Sequence, residues 1–221
     1  SNGVKVLRRL GVEHEIQRVA YSPTQIKVIN ARNGKVVLSL PLGEKALKRY
    51  SENFFQIHRT DLIQVLLKKA EEVGVRINLA SDAIMKSSNG DFSEIISNKK
   101  KFSFDMAIGA DGVHSLTRDR FFKTSKPEFL KQVAYRTTIP LDKVDSQFSD
   151  PEVKIFIGSG GHIVSYPLLS RSLLNLVFCK HEDTWTSDGW SISVKKLELT
   201  NKFYQFSEIR PLLDKIDNVK K

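Results

Sequence analysis

The chain has 221 residues, 40% hydrophobic and 27% charged, an ordinary globular composition with material for one large domain or two small ones. Its formal charge of +10 is spread over scattered groups such as Lys68-Lys69, Lys99-Lys100-Lys101 and Lys195-Lys196; no zinc-finger spacing or aromatic-rich RNA motif accompanies them, so solvated faces are expected and nucleic acid is not an expected partner. The single Cys179 excludes an internal disulfide, the five histidines show no metal-ligand spacing, and no apolar run approaches the roughly 20 residues that span a bilayer.

In chain order, Val4, Leu7 and Leu10 recur at helical spacing before Gly11 and predict a short amphipathic helix. Residues 25–30 and 35–40 read as strands, and Asn33-Gly34 between them is a hairpin signal. Residues 41–53 are polar and read as irregular. Thr60 or Asp61 can cap a helix reaching about Val73, with Leu62, Val65, Leu66 and Lys69 on one side and Gly74 as its stop. A strand is predicted at 75–79, then a second hairpin from 83–87 and 92–97, then a buried strand at 104–108. From about Lys123 the chain turns β-rich, at 132–139, 153–158, 161–167 and 172–180, which suggests an antiparallel sheet. Helical stretches are expected at about 194–206 and 211–219.

The run Gly109-Ala110-Asp111-Gly112-Val113-His114-Ser115-Leu116-Thr117-Arg118 follows the predicted buried strand and opens a helix. Taken as a dipeptide, Asp-Gly marks an ordinary turn. At a strand's carboxyl end, Asp111 can also accept hydrogen bonds from a ribose or another hydroxyl. Gly109 and Gly112 let a ligand approach the backbone, and the following turn offers N–H groups to a pyrophosphate.

The ten residues closely resemble the Gly-Ala-Asp-Gly-x-x-Ser-x-x-Arg motif of FAD-dependent aromatic-ring monooxygenases, the group that includes salicylate hydroxylase and p-hydroxybenzoate hydroxylase. Three more segments resemble the same family, in its order. Residues 1–11 look like its Pro-Asn-Gly-x-x-x-Leu-x-x-Leu-Gly helix, Ile57-His58-Arg59-Thr60-Asp61-Leu62 like its His-Arg-x-x-Leu segment, and residues 158–167 like the strand that roofs its substrate pocket. The family's Gly-x-Gly-x-x-Gly turn and its Gly-Asp-Ala-Ala-His-Pro segment do not occur in the chain. The expectation is therefore the central part of a longer protein, inactive by itself; a complete small protein lacking both motifs is the alternative.

The resemblance implies a mixed α/β (α+β) fold: a partial Rossmann-like FAD-binding domain at 1–123, with antiparallel hairpin excursions, and a β-rich substrate domain at 124–221 with C-terminal helices. It also implies site roles. Taken alone, Arg59 reads as a surface ion-pair residue; in the resembling family the arginine of this motif contacts the flavin. Asp111 and Gly112 are the cofactor candidates, while Ser115 can cap a helix, His114 can add a polar contact and Arg118 can brace the motif. His162, Val164 and Tyr166 alternate along a strand and so share one face, which in the family looks toward the flavin ring across an aromatic substrate. A tyrosine hydroxyl there can bond a phenol or carboxylate and a histidine can shift protons, so His162 and Tyr166 are the catalytic candidates; a half-buried sheet position is the plainer reading of both. Trp185 and Trp190 read as local packing, and Ser159-Gly160-Gly161 as a turn, without the lysine and hydroxyl of a phosphate loop.

The function so implied is hydroxylation of a small aromatic substrate with FAD, NAD(P)H and O2. The positive field suits a carboxylate-bearing ring. A flavin-dependent epoxidase or reductase of a lipid-like substrate is one alternative, and a truncated non-enzymatic protein binding through basic surfaces is another. One cysteine suggests a reducing, cytoplasmic compartment. The oligomeric state is not legible.

Overall fold

A computed structural model describes residues 2–88, 93–122, 126–184 and 192–221. Its contacts gather into two compact units, Ser1–Glu72 with Lys131–Lys221, and Val73–Leu130.

The first segment begins with α1 (Asn2–Arg9) and α2 (Glu13–Val19), packed through Val4, Val12 and Ile16. Arg8 ties the pair together, bonding Glu13 at 2.6 Å and Glu52 at 2.9 Å. Strands β1 (Gln25–Asn30) and β2 (Val36–Pro41) form the expected hairpin. Residues 41–53, read as irregular, contain α3 (Glu44–Tyr50). Neither α2 nor α3 stands out in the sequence, because each buries a single side chain, Ile16 or Ala46, and so carries no apolar stripe. The next helix, α4 (Arg59–Glu72), is where the sequence places it, but its cap is His58. The Nδ1 of His58 accepts from the N–H of Thr60 at 3.2 Å.

In the second unit, the expected strand at 75–79 carries no strand pairing, and Val75 and Leu79 are 52% and 80% exposed. A strand needs a neighbour to satisfy its backbone, and none of the described strands pairs with this segment. Strands β3 (Ala83–Ser88), β4 (Ser93–Ser97) and β5 (Lys100–Phe104) form a three-stranded antiparallel sheet in that order. The expected hairpin is thus β3–β4, and its turn lies outside the described residues. A further turn through Asn98 and Lys99, both at positive φ, leads into β5. The strand predicted at 104–108 begins where β5 ends, and it is not buried: Met106 and Ile108 are 73% and 82% exposed. Helix α5 (Leu116–Phe121) follows.

Back in the first unit, β6 (Gln132–Pro140), β7 (Glu152–Gly158), β8 (Gly161–Leu168) and β9 (Leu173–His181) match the predicted strands closely. The predicted C-terminal helices are shorter than expected. The chain closes with β10 (Ser193–Val194), α6 (Lys196–Lys202), α7 (Arg210–Leu213) and β11 (Val219–Lys220). The eight strands run in the order β10-β11-β6-β9-β8-β7-β1-β2. Every named pair is antiparallel except β1 with β7, which is parallel and joins the early hairpin to the late sheet. Glu152 of β7 reinforces that join, accepting from Gln25 Nε2 at 2.5 Å and pairing with Lys27 at 2.8 Å.

Alternation decides which sheet face is covered. Val133, Tyr135, Ile139, Ile163, Leu174, Leu176 and Phe178 are buried, and so are Leu199, Phe203, Phe206, Ile209 and Leu212 of the C-terminal segment. Phe203 stands edge-on to Phe178 at 5.1 Å and to Phe206 at 5.2 Å. Each such buried side chain contributes about 1.5–3 kcal/mol. The C-terminal helices therefore cover one face of the sheet. Apart from Leu168, buried at the end of β8, the opposite face of β6, β8 and β9 carries half-buried or exposed side chains among the described residues. The molecule is a mixed α/β protein with a large mixed sheet and a small antiparallel one.

Candidate functional site

Two groups of candidate residues lie in the two units. In the second unit, Asp111 is the centre of a hydrogen-bonded loop. Its Oδ1 accepts from the Ser115 hydroxyl at 2.6 Å, and its Oδ2 from the N–H of Thr117 at 3.1 Å. Ser115 in turn caps α5, its hydroxyl accepting from the N–H of Arg118 at 2.9 Å. Arg118 folds back, donating from Nη1 to the carbonyl of Val113 at 2.8 Å and pairing with Asp119. The Ser115 hydroxyl, then the Thr117 N–H, hold the Asp111 carboxyl down at about 2. A carboxylate has about four lone-pair sites, so these two bonds leave Asp111 able to accept from a further donor. Gly112 has φ +81°, and no atom lies within 4 Å of where its Cβ would be. The backbone there is open to a ligand, and a side chain would be strained.

In the first unit, His162, Val164 and Tyr166 of β8 are half-buried, while Ile163 and Ser165 between them are 0% and 2% exposed. The three share the uncovered face. Cross-strand register extends the row. Tyr166 stands opposite Asn175, Val164 opposite Val177 and His162 opposite Cys179 on β9. Beyond them on β6 are Thr138, Arg136 and Ala134, in the same order. Ile155 and Ile157 of β7 border the other side, opposite Val164 and His162. Burial pushes the Tyr166 phenol up, and Arg136 partly offsets it; the same two causes act on the Cys179 thiol. The Arg136 guanidinium therefore lies within electrostatic reach of both. The Nδ2 of Asn175 is buried and has no hydrogen-bond partner among the described residues. This face can receive a flat ring on Val164, Val177 and Ile155, and it offers a phenol, an amide and a guanidinium at the edges. Arg136 and Asn175 escape a sequence reading because only the β6–β9–β8 register brings them to Tyr166.

Gly161 has a structural reason to be glycine, since a Cβ would come within 2.4 Å of the Cys179 carbonyl oxygen. Arg59 is the first residue of α4 and is exposed. Two positions on, Asp61 is gripped by Arg171, whose Nε donates to Oδ2 at 3.1 Å and Nη2 to Oδ1 at 2.5 Å. That guanidinium keeps the Asp61 carboxyl below the usual range, against the opposing effect of desolvation. Beside the pair is an open hollow of about 420 Å³ lined by Val19, Asp61, Ser170, Arg171 and Leu173. Among the described residues no cluster of His, Cys, Asp and Glu is placed to hold a metal, and no helix is long and apolar enough to cross a membrane. Trp185 and Trp190 lie outside the described residues.

No protein-family profile matches the chain. In sequence it is 26% identical over 190 residues to 3-amino-4-hydroxybenzoate 2-monooxygenase PtmB3 of Streptomyces platensis, covering 86% of this chain and 48% of that protein. It is 27% identical over 230 residues to the FAD-dependent monooxygenase OpS4 of Beauveria bassiana, covering 99% of this chain and 53% of that one. Among solved structures, a salicylate hydroxylase substrate complex superposes with a TM-score of 0.77 at 19% identity, over 99% of this chain and 57% of that chain. A Klebsiella pneumoniae HpxO variant complexed with FAD gives a TM-score of 0.79 at 16% identity, with the same coverage of 99% and 57%. The chain thus spans about half the length of the curated relatives it matches. In sequence the chain is similar to proteins named as FAD-dependent and hydroxybenzoate monooxygenases, and it shares the fold of the salicylate hydroxylase and HpxO structures.

Proposed function

We propose that the protein containing these residues is an FAD-dependent, NAD(P)H-using monooxygenase that hydroxylates a small aromatic substrate, carboxylate-bearing in the favoured case. The observation that carries this reading is the uncovered sheet face, where Tyr166, Asn175, Arg136 and His162 ring an apolar floor. The names of the sequence relatives support it, since they denote monooxygenases of hydroxybenzoate-type rings.

Each unit by itself offers groups that suit part of a flavin dinucleotide. In the second unit Asp111 has acceptor capacity to spare and Gly112 an open backbone side; in the first, Arg59 carries an exposed guanidinium of the kind that takes phosphate or carbonyl oxygens. When bound, FAD reduced by NAD(P)H would supply the chemistry by which one atom of O2 enters the ring. The chain's own residues orient the substrate. Tyr166, kept neutral by burial, donates to a ring substituent, and Arg136 pairs with a carboxylate. Asn175 donates through its Nδ2, which has no partner among the described residues, and His162 takes or gives a proton at its imidazole. Residues 1–123 would supply the cofactor part and 124–221 the substrate part. A cytoplasmic location belongs to the same reading, on the strength of the single Cys179.

The test is flavin titration of the full natural chain, followed by O2-dependent NAD(P)H oxidation with hydroxybenzoates and identification of the oxygenated product. Bound flavin and substrate-stimulated oxidation are expected. Absence of both rejects the proposal.

A further inference from the structure

We infer that Arg171 is a positioning residue: acting through Asp61, it holds the turn that presents Arg59 in register with the strand that presents Tyr166. The inference rests on the flavin-monooxygenase reading and goes beyond it, since neither residue is assigned any contact with cofactor or substrate.

The pair is forked, with two nearly parallel N–H to oxygen bonds at 3.1 and 2.5 Å, a geometry that fixes direction as well as distance. The carboxylate of the pair is the more covered partner, the Asp61 side chain being 12% exposed and that of Arg171 37%. Both anchors are stiff. At one end the His58 carbonyl accepts from the N–H groups of Asp61 and Leu62 at 3.0 and 3.1 Å, and the His58 ring accepts from Thr60. Residues 58–62 are therefore one hydrogen-bonded turn, and Arg59 lies inside it. At the other end Arg171 closes the short 3-10 turn Leu169–Arg171 that directly continues β8. That turn is clamped by Ser172, which has left-handed backbone at φ +52°. Its N–H bonds the Leu169 carbonyl at 3.1 Å, and its carbonyl takes the N–H of Leu141, the residue after β6, at 2.9 Å.

The ion pair has leverage because packing leaves part of the placement of α4 to its end contacts. No residue of α4 is fully buried, and the hollow of about 420 Å³ lies beside Asp61 and Arg171. The helix packs on α2 along a face that is only half-buried, through Leu62, Val65 and Leu66, so the directed contact at its end takes a share in placing it. Here that contact reaches the hairpin carrying Tyr166, 110 positions away in sequence.

The test uses the full natural chain with Arg171→Gln, Arg171→Lys, Asp61→Asn and the reversed pair Asp61→Arg with Arg171→Asp. Three quantities are read: the FAD dissociation constant, the fraction of oxidised NAD(P)H that appears as hydroxylated product instead of hydrogen peroxide, and the melting temperature. Arg171→Gln and Asp61→Asn should weaken FAD binding about tenfold, the loss of one charge-assisted fork, and lower the coupled fraction. Arg171→Lys, which keeps charge without the fork, should fall between them and the unaltered protein, and the reversed pair should recover part of the coupling. Variants that bind FAD and couple as the unaltered protein does would overturn the inference alone, whatever their melting temperature. An unaltered protein that binds no FAD would overturn the flavin reading and this inference with it.

Discussion

Tyr166 and Asn175 face each other across the β8–β9 ladder, a half-buried phenol against an amide whose buried Nδ2 has no partner among the described residues. Leaving a buried donor unpaired costs about 1–3 kcal/mol, so the Asn175 amide is poised to be completed by an acceptor beyond the described residues. Tyr166→Phe should keep the fold and reduce kcat/KM for a hydroxylated ring substrate by about 10- to 100-fold, the loss of one or two hydrogen bonds in a water-poor site. Steady-state kinetics on the full natural chain, with a melting curve as control, checks this. A ring analogue that cannot accept from the phenol should show a much smaller difference between the two proteins.

Arg136→Ala should raise KM for a carboxylate-bearing ring by about tenfold or more, and should leave an uncharged analogue nearly unaffected. Equal losses for both would move Arg136 from substrate recognition to support of the sheet. Because Arg136 also offsets the upward push on Tyr166, the same substitution should raise the phenol's titration further, readable by ultraviolet difference spectra.

The Asp111 loop predicts an acid limb. Its carboxyl is held down at about 2, below the usual value near 3.9, so its stabilising bonds are complete above the ordinary value and are lost as pH falls through about 2. Asp111→Asn should remove that dependence from the loop, and Ser115→Ala should weaken it, because the Ser115 hydroxyl is the largest cause. Amide hydrogen exchange at Thr117 and Arg118 between about pH 5 and 2 reports it. Protection that is identical in the unaltered and Asp111→Asn proteins would contradict this account.

Gly161→Ala sets a methyl group 2.4 Å from the Cys179 carbonyl oxygen, which belongs to the backbone and cannot swing aside. The first rungs of the β8–β9 ladder should open, at a cost of about 1–3 kcal/mol in urea unfolding. His162, which follows directly and stands opposite Cys179, should move with them. Ala134, on the same face but one strand further away, should not.

Much of the fold was legible in the residues because it is written locally. The Asn33-Gly34 turn signals β1–β2, and β-rich runs mark β6 to β9, with alternation in β8. That same alternation puts His162 and Tyr166 on one face before any partner strand is known. The Ser115 cap was likewise visible as a residue type at the right spacing, and the start of α4 was legible near Thr60 and Asp61, although the capping role fell to His58. Two expectations failed for one reason: the segments at 75–79 and 104–108 have the apolar character of strands, but apolar residues become a buried strand only against a neighbour. What only the tertiary structure decided depends on residues far apart in sequence. It set β1 parallel to β7, carried Arg136 and Asn175 to Tyr166 by register, and closed Arg171 on Asp61. Periodicity is a property of neighbouring residues and survives in the string of letters; register and ion pairing are set by how the chain closes, over 110 positions for Arg171 and Asp61, and exist only once the sheet has formed.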